Sequence, residues 1–216
     1  MSAQQQNFAF APVEHKSNAD FFIGAFNQEA YTEILSSSHL QICMVGAQGA
    51  GKTHLAHIYA QQQGGVLIHP PQLDEMLDRP PHRLIIDDCD QLPMQAQESL
   101  LHLINLQKEQ GGQLILVARL APTRWPVSLP DLASRLQAFQ MLRILEPDDQ
   151  AIRVILVKLF HDRQLGVDPD LIDYLVPRME RSFASAQKMV EQLDSYSLAN
   201  KANITVKFAQ KTLFNR

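Results

Sequence analysis

Short apolar runs alternate with helical patterns along the first 145 residues of the chain. Each apolar run is bounded by Gly, Pro or polar clusters, as buried parallel strands are. The runs lie at residues 40–45, 66–69, 83–87, 113–118 and 139–145. Between them, helical patterns cover residues 51–62 and 94–108, the second with a broad leucine-rich stripe. This alternation predicts an α/β fold with a parallel sheet between helices.

The strand pattern stops after residue 145, and only helical patterns follow. Pro147, with Asp148 and Asp149 behind it, has the composition of a helix start. Helices are predicted at 148–164, 168–178, 183–199 and 205–213. Residues 1–18 are Gln-rich and polar, so we expect a flexible tail there. The predicted organisation is a tail (1–18), an α/β domain (19–145) and a small all-helical subdomain (146–216).

Composition narrows the class of protein. Of the 216 residues, 45% are hydrophobic, enough for a packed core and too many for a disordered chain. The 19 basic and 23 acidic residues give a net charge of −4, which excludes a polybasic protein held on nucleic acid by charge alone. The two cysteines, Cys43 and Cys89, lie in or beside apolar runs and are expected to be buried reduced thiols. No segment has the pattern of a membrane span or a signal peptide, so we expect a cytoplasmic protein.

The strongest chemical signal is a glycine-rich loop between the first predicted strand and the helix after it. Its residues match the G-x-x-x-x-G-K-[ST] pattern of a P-loop: Gly46, Ala47, Gln48, Gly49, Ala50, Gly51, Lys52 and Thr53. The glycines let backbone N–H groups surround phosphate oxygens, and the helix N-terminus adds a partial positive charge. Lys52 is expected to reach the β- and γ-phosphates, and the Thr53 hydroxyl to bind Mg²⁺. The motif predicts binding of ATP or ADP with Mg²⁺.

A second signal is the pair of acids that ends the run Leu84-Ile85-Ile86. P-loop proteins need a carboxylate at a strand end beside the loop to hold Mg²⁺. Asp87 fits that role, so Thr53 and Asp87 form the predicted metal set. Asp88 is the candidate catalytic residue that orients or deprotonates the attacking water. Asp90 is interpreted as a turn or cap residue.

These motifs, followed by Leu129-Pro130-Asp131-Leu132-Ala133-Ser134-Arg135-Leu136 and the helical segment, resemble one family over nearly the whole chain. The chain looks like an AAA+ ATPase of the bacterial replication-initiator (DnaA) group. Within that group it is most similar to the short Hda-type regulators, which lack the initiator's DNA-binding domain. The resemblance implies a P-loop AAA+ core with a helical lid at 146–216.

The resemblance also assigns roles outside the P-loop. It makes Arg135 an arginine finger that acts on ATP held by the initiator DnaA. Without the resemblance, the residues favour a surface salt bridge, for instance with Asp131. Gln6, Phe8 and Phe10 fit a loose sliding-clamp-binding peptide, in which two aromatic side chains enter an apolar groove. The implied protein is a regulator of replication initiation, nucleoid-associated through the clamp, that stimulates hydrolysis of DnaA-bound ATP.

Two departures from the family pattern concern the chain's own hydrolysis. Arg119 follows the strand 113–118 where the family usually carries a polar sensor, which places a cation near the γ-phosphate. The family's second sensor, an arginine, falls at Ala184, with Arg181 one turn earlier. The alternative function is an autonomous AAA+ ATPase or loader that remodels a replication partner, which Lys52, Asp87 and Asp88 permit.

The sequence leaves open whether the chain forms a homodimer and which nucleotide it holds. With no helix-turn-helix pattern and no basic patch, we expect no direct sequence-specific DNA binding. Phe21, Phe22 and Ile23 are candidates to pack near the adenine, with ordinary core packing as the alternative.

Overall fold

The computed structural model describes residues 21–37 and 39–214. A five-stranded parallel sheet lies at its centre, with the strand order β2-β3-β4-β1-β5. The strands are β1 (Gln41–Gly46), β2 (Val66–Ile68), β3 (Arg83–Ile86), β4 (Gln113–Ala118) and β5 (Gln140–Ile144). β4 is buried along its whole length, as expected of a central parallel strand, and the predicted fold class is confirmed.

Helices cover both faces of the sheet. They are α1 (Gln28–Ser36), α2 (Lys52–Gln63), α3 (Gln97–Glu109) and α4 (Pro130–Gln137). One apolar cluster joins α1 and α2 to alternate residues of β1 and β4. It includes Leu55 of α2, Ile42 of β1 and Ile115 of β4. A second joins α3 and α4 to the opposite faces of the same strands, and Leu103 and Leu132 belong to it. Strand residues therefore face two cores in alternation.

The described residues after β5, which we call the lid, form helices and no strand. These helices are α5 (Asp149–Asp162), α6 (Pro169–Leu175), α7 (Phe183–Asn200) and α8 (Val206–Ala209), the last followed by one wide turn (Gln210–Phe214). A third apolar cluster, centred on residues such as Ile155, Leu175 and Val190, holds these helices together. Among the residues that the structure describes, no helix is long and apolar enough to span a membrane.

Three predicted helices differ in their ends. The helix predicted at 94–108 begins at Gln97, because Met94–Ala96 forms a 3₁₀ turn. The helix predicted at 168–178 ends at Leu175, since Pro177 lacks an N–H and turns the chain into a 3₁₀ segment. The segment predicted at 205–213 is α-helical from Val206 to Ala209 and continues as a π-helical turn from Gln210 to Phe214. Ser182 caps α7 by accepting a hydrogen bond from Ser185 N at 3.0 Å.

Candidate functional site

The P-loop connects the end of β1 to the first turn of α2. Gly49 and Gly51 adopt left-handed backbone conformations, with φ of 76° and 97°, which a side chain would strain. The left-handed Gly51 is the residue that caps α2, so the chain turns sharply from the loop into the helix. The free N–H groups of that helix end are the groups that an anion needs.

Lys52 is the first residue of α2, and its side chain turns back onto the loop. Its ammonium donates hydrogen bonds to the carbonyl oxygens of Gly46 and Ala47 at 2.9 and 2.8 Å, and the residue is buried. Burial lowers the pKa of Lys52, and the nearby carboxylates of Asp87, Asp90 and Asp88 oppose that shift. A phosphate group beside this ammonium would favour its charged form further.

Thr53 and Asp87 meet as the sequence predicts. The Thr53 hydroxyl donates a hydrogen bond to Asp87 Oδ2 at 2.6 Å, which joins the start of α2 to the end of β3. The second oxygen, Oδ1, accepts the N–H of Asp88 at 2.8 Å. Asp87 is buried, whereas the Asp88 side chain is about half exposed. A buried carboxylate beside a threonine hydroxyl is an oxygen donor set suited to Mg²⁺.

Asp88 adopts a left-handed conformation with φ of 55°, uncommon for a residue other than glycine. This conformation turns the chain away from β3 immediately after Asp87. The Asp88 carboxylate lies 3.6 Å from Nδ1 of His69, the residue that follows β2. The imidazole was not singled out by the sequence, because the two residues come together only when β2 and β3 pair in parallel.

The P-loop borders a cavity that lies between the segment before α1 and the first turns of α7. One side is formed by Phe21, Phe22 and Phe26 from the segment before α1, and the other by Phe183, Ala184 and Gln187 from α7; the rest of the lining is Asn27 and residues 49–54. The Phe21 ring stacks on Tyr31 and meets His54 edge-on, with centroids 5.7 and 5.2 Å apart. Phe21 therefore packs on α1 and α2 and also lines the cavity, and its contact with an adenine stays a prediction.

The two sensor positions differ from the family pattern in the structure as well. Arg119 does not line the P-loop cavity, because its guanidinium pairs with Asp90 at 2.9 Å and its N–H bonds the same carboxylate at 3.2 Å. Ala184 lines the cavity, while Arg181 pairs with Asp149 at 2.8 Å and is not part of the lining. Asp90, interpreted from the sequence as a turn residue, thus binds the Arg119 side chain, whose charge still contributes to lowering the pKa of Lys52.

Arg135 lies in the last turn of α4, away from these residues. The neighbouring Leu132 and Leu136 are buried in the core, so the helix is fixed while the arginine stays exposed. Within residues 21–37 and 39–214, the Arg135 side chain has no hydrogen bond or ion pair, so the ion pair with Asp131 does not form. Gln6, Phe8 and Phe10 lie outside the described residues.

The strand order, the P-loop and the helical lid define a P-loop protein of the AAA+ class. Residues 148–213 match the family model described as Hda, lid domain. Among solved structures, the chain is similar to domain III of the Thermotoga maritima replication initiation protein DnaA, with a TM-score of 0.78, 19% identity, and coverage of 90% of this chain and 94% of that one. Residues 148–213 thus resemble the lid domain of Hda, and the chain has a DnaA-like AAA+ fold.

Two further comparisons agree in fold. AMPPCP-bound DnaA from Aquifex aeolicus gives a TM-score of 0.69 at 20% identity, covering 83% of this chain and 65% of that one. The chromosomal replication initiator protein DnaA of Cutibacterium acnes is 21% identical over 89% of this chain. The chain spans about half the length of such DnaA relatives, 45% of the Cutibacterium protein and 49% of the one from Buchnera aphidicola. An uncharacterized Haemophilus influenzae protein is 24% identical over 78% of this chain and 79% of its own length.

Proposed function

We propose that the chain binds ATP or ADP with Mg²⁺ in the P-loop cavity. The left-handed glycines and the start of α2 would hold the phosphates, Lys52 would neutralise their charge, and Thr53 and Asp87 would supply oxygen ligands to the metal. The metal, when bound, would neutralise charge on the phosphate oxygens. Solved DnaA structures with AMPPCP support nucleotide binding by this fold.

Nucleotide binding is tested by thermal unfolding with and without Mg-ADP. A ligand present at 100 times its dissociation constant stabilises a protein by about 2.7 kcal/mol, so a clear rise in melting temperature is expected. Lys52→Ala should abolish that rise while the protein without nucleotide unfolds near the wild-type temperature. Lys108→Ala, which removes an exposed lysine from α3, is the matched control and should keep the full shift. An unchanged shift in Lys52→Ala would exclude the cavity as the site.

We further propose that the chain regulates replication initiation by acting on ATP held by DnaA. The observation that carries this proposal is the position of Arg135. It is exposed on a helix anchored by Leu132 and Leu136, without a partner in the described chain, and it is not among the residues that line the chain's own P-loop cavity. An unpaired guanidinium on an anchored helix suits a transferring γ-phosphoryl group on another molecule. The match of residues 148–213 to the Hda lid domain supports the same assignment.

The proposal includes docking on the DNA-loaded sliding clamp through Gln6, Phe8 and Phe10. It rests on the sequence pattern, in which an extended peptide places two aromatic side chains in an apolar groove. Clamp pull-down with wild type and the Phe8→Ala/Phe10→Ala variant, in ATP and in ADP, tests it. Loss of capture in the variant is expected, and capture that survives would remove the assignment and the nucleoid association that depends on it.

The decisive assay measures hydrolysis of DnaA-bound ATP in the presence of clamp loaded on DNA. An arginine finger contributes roughly 10³-fold or more to phosphoryl transfer, so Arg135→Ala should remove nearly all stimulation. Arg135→Lys keeps the charge but not the planar fork and should recover little. Lys108→Ala again serves as the control. Stimulation that persists in Arg135→Ala would overturn the regulatory proposal and leave nucleotide binding untouched.

The second candidate function is an ATPase that remodels a partner by its own turnover. The bond between Thr53 and Asp87 favours it, because it is the arrangement that a Mg-nucleotide requires, and Asp88 at the end of β3 is the candidate base. The ion pair of Arg119 with Asp90 and the alanine at position 184 argue against this ATPase function. Single-turnover hydrolysis by the isolated chain, compared with Asp88→Asn, separates the two functions: rapid, Asp88-dependent turnover without DnaA would favour the ATPase.

A further inference from the structure

A second cavity opens at the carboxyl ends of β4, β1 and β5. It encloses about 420 Å³, within the range of ligand sites. Gly46 and Ala47, at the start of the P-loop, line it, but it shares no lining residue with the P-loop cavity. Three of its side chains are arginines, Arg119, Arg124 and Arg143, and no acidic residue lines it. We call it the arginine cleft. In a chain with a net charge of −4, such a concentration of positive charge is a local feature rather than a consequence of composition.

The loop that carries two of these arginines is held firmly. The buried Asp90 carboxylate binds Arg119 through both its backbone N–H and its guanidinium. The Trp125 indole, itself buried, donates a hydrogen bond to Leu120 O at 2.8 Å, and Arg124 N donates to Ala121 O at 2.8 Å. Because the loop is already ordered, a partner that binds Arg124 loses little affinity to the entropy cost of ordering the loop.

Of the three arginines that line the cleft, Arg124 and Arg143 are the two without an ion pair in the described residues. Arg119 is neutralised by Asp90, whereas neither Arg124 nor Arg143 has an ion pair within the described part of the chain. Arg143 projects from β5, the edge strand, and Arg124 from the turn after β4. Both side chains are exposed. The cleft therefore offers two free guanidinium groups to an anion.

The apolar residues that line the arginine cleft indicate which kind of anion fits it. Leu120 and Leu145 line the cleft with 43% and 58% of their surface exposed, and Val45 and Ile144 lie behind them. A nucleic-acid strand needs stacking surfaces, but Trp125 is buried and its indole is bound to the loop. Carboxylates that alternate with aliphatic side chains complement both the guanidinium groups and the leucines.

We propose that the arginine cleft binds an acidic, leucine-rich segment of a partner protein. The proposal goes beyond the nucleotide and Arg135 roles, and it does not depend on either of them. Bidentate guanidinium–carboxylate pairs would fix the segment, and Leu120 and Leu145 would bury its aliphatic side chains.

The test titrates ¹⁵N-labelled full-length protein with an acetylated peptide of alternating Glu and Leu. Shifts are expected in the backbone amides of residues 45–47, 119–125 and 143–145. Arg124→Glu and Arg143→Glu should each weaken binding by about tenfold or more. The matched control Lys207→Glu, at an exposed site at the start of α8, should bind like wild type. A peptide with Gln in place of Glu should bind far more weakly.

Several outcomes would overturn the proposal. Equal binding of the Gln peptide, or wild-type affinity in both arginine variants, would show that the cleft does not recognise carboxylates. Displacement of the Glu peptide by a thymidine oligonucleotide at lower concentration would assign the cleft to nucleic acid instead. Mg-ADP affinity measured on the same variants keeps the two proposals apart, because it should stay at the wild-type value whatever the peptide does.

Discussion

The carboxylate of Asp90 decides where the Arg119 side chain lies. Asp90 is in the turn after β3, its side chain is only 2% exposed, and both of its oxygens are used by Arg119. Since β3 and β4 are neighbours in the sheet, the turn and the end of β4 are brought together by strand pairing. The pair neutralises a buried charge close to Lys52, whose pKa responds to both residues.

Arg119→Ala should destabilise the protein by about 1–2 kcal/mol, because it leaves the Asp90 carboxylate buried with only a backbone donor. Arg124→Ala is the matched control, since it removes an arginine of the same loop that has no ion pair in the described chain, and it should change stability by less than about 0.5 kcal/mol. Urea unfolding measures both free energies. Equal effects of the two variants would mean that the ion pair contributes no stability.

Both cysteines are buried in the core beneath α3 and α4, and neither is available as a nucleophile. Burial raises the pKa of Cys43 to about 12 and that of Cys89 well above its ordinary value. An unfolded thiol ionises near pH 9, so the unfolded state releases these protons first and the free energy of unfolding falls as pH rises from about 9 to 12.

The folded protein should therefore show no reaction with Ellman's reagent at mildly alkaline pH, and the denatured protein should show two reactive thiols. Rapid reaction of either cysteine in the folded state would contradict their burial. Urea unfolding between about pH 9 and 12 checks the predicted loss of stability. In Cys43→Ala the free energy of unfolding should fall less steeply with pH.

At the scale of elements, the P-loop contacts the lid directly. A Cβ placed on Gly49 would lie 2.9 Å from Ser182 Oγ and 3.3 Å from Ala184 Cβ, at the start of α7. Ser182 is buried and caps that helix. Glycine at this position thus serves two needs, a left-handed backbone and the close approach of the lid helix.

Gly64 provides a matched comparison, because it ends α2 with φ of 69° and a Cβ there would meet no atom within 4 Å. Gly64→Ala should cost about 1–2 kcal/mol from backbone strain alone and leave Mg-ADP affinity unchanged. Gly49→Ala carries the same strain and also displaces Ser182 and Ala184, so nucleotide affinity should fall by about tenfold or more. Calorimetric titration measures the affinities, and equal affinities in the two variants would exclude a role for the lid contact.

Most elements could be predicted from the sequence because their patterns are local. The strand 113–118 has the predicted bounds, and the P-loop, Lys52 and Thr53 lie where a local motif places them. The strand order could not be predicted, since β1 lies between β4 and β5, which follow it much later in the chain. For the same reason the sequence did not predict the contacts of Asp90 with Arg119 and of His69 with Asp88, because they depend on which strands are neighbours in the sheet.

At the scale of the whole molecule, the segment before α1 joins the sheet domain to the lid. Phe21 packs against the cluster of α1 and α2, while Phe22 and Phe26 pack against the lid cluster. Asn27, buried, holds the segment in a turn by accepting from Gly24 N and donating to Phe22 O, both at 2.8 Å. A ligand in the P-loop cavity would touch all three parts, so its binding should couple them.

Hydrogen exchange tests this coupling. In wild type, Mg-ADP should slow exchange in the P-loop, in the segment 21–27 and in the first turns of α7 together, because closing the cavity suppresses local opening of each. In Phe22→Ala the protection of α7 should fall while that of the P-loop persists, since the phosphate contacts remain but the aromatic contact with the lid is lost. Ile23→Ala is the control and should keep the full pattern, because Ile23 is 45% exposed and, unlike Phe22, is not among the residues that line the cavity. If Phe22→Ala keeps it as well, the lid responds to nucleotide through α7 alone.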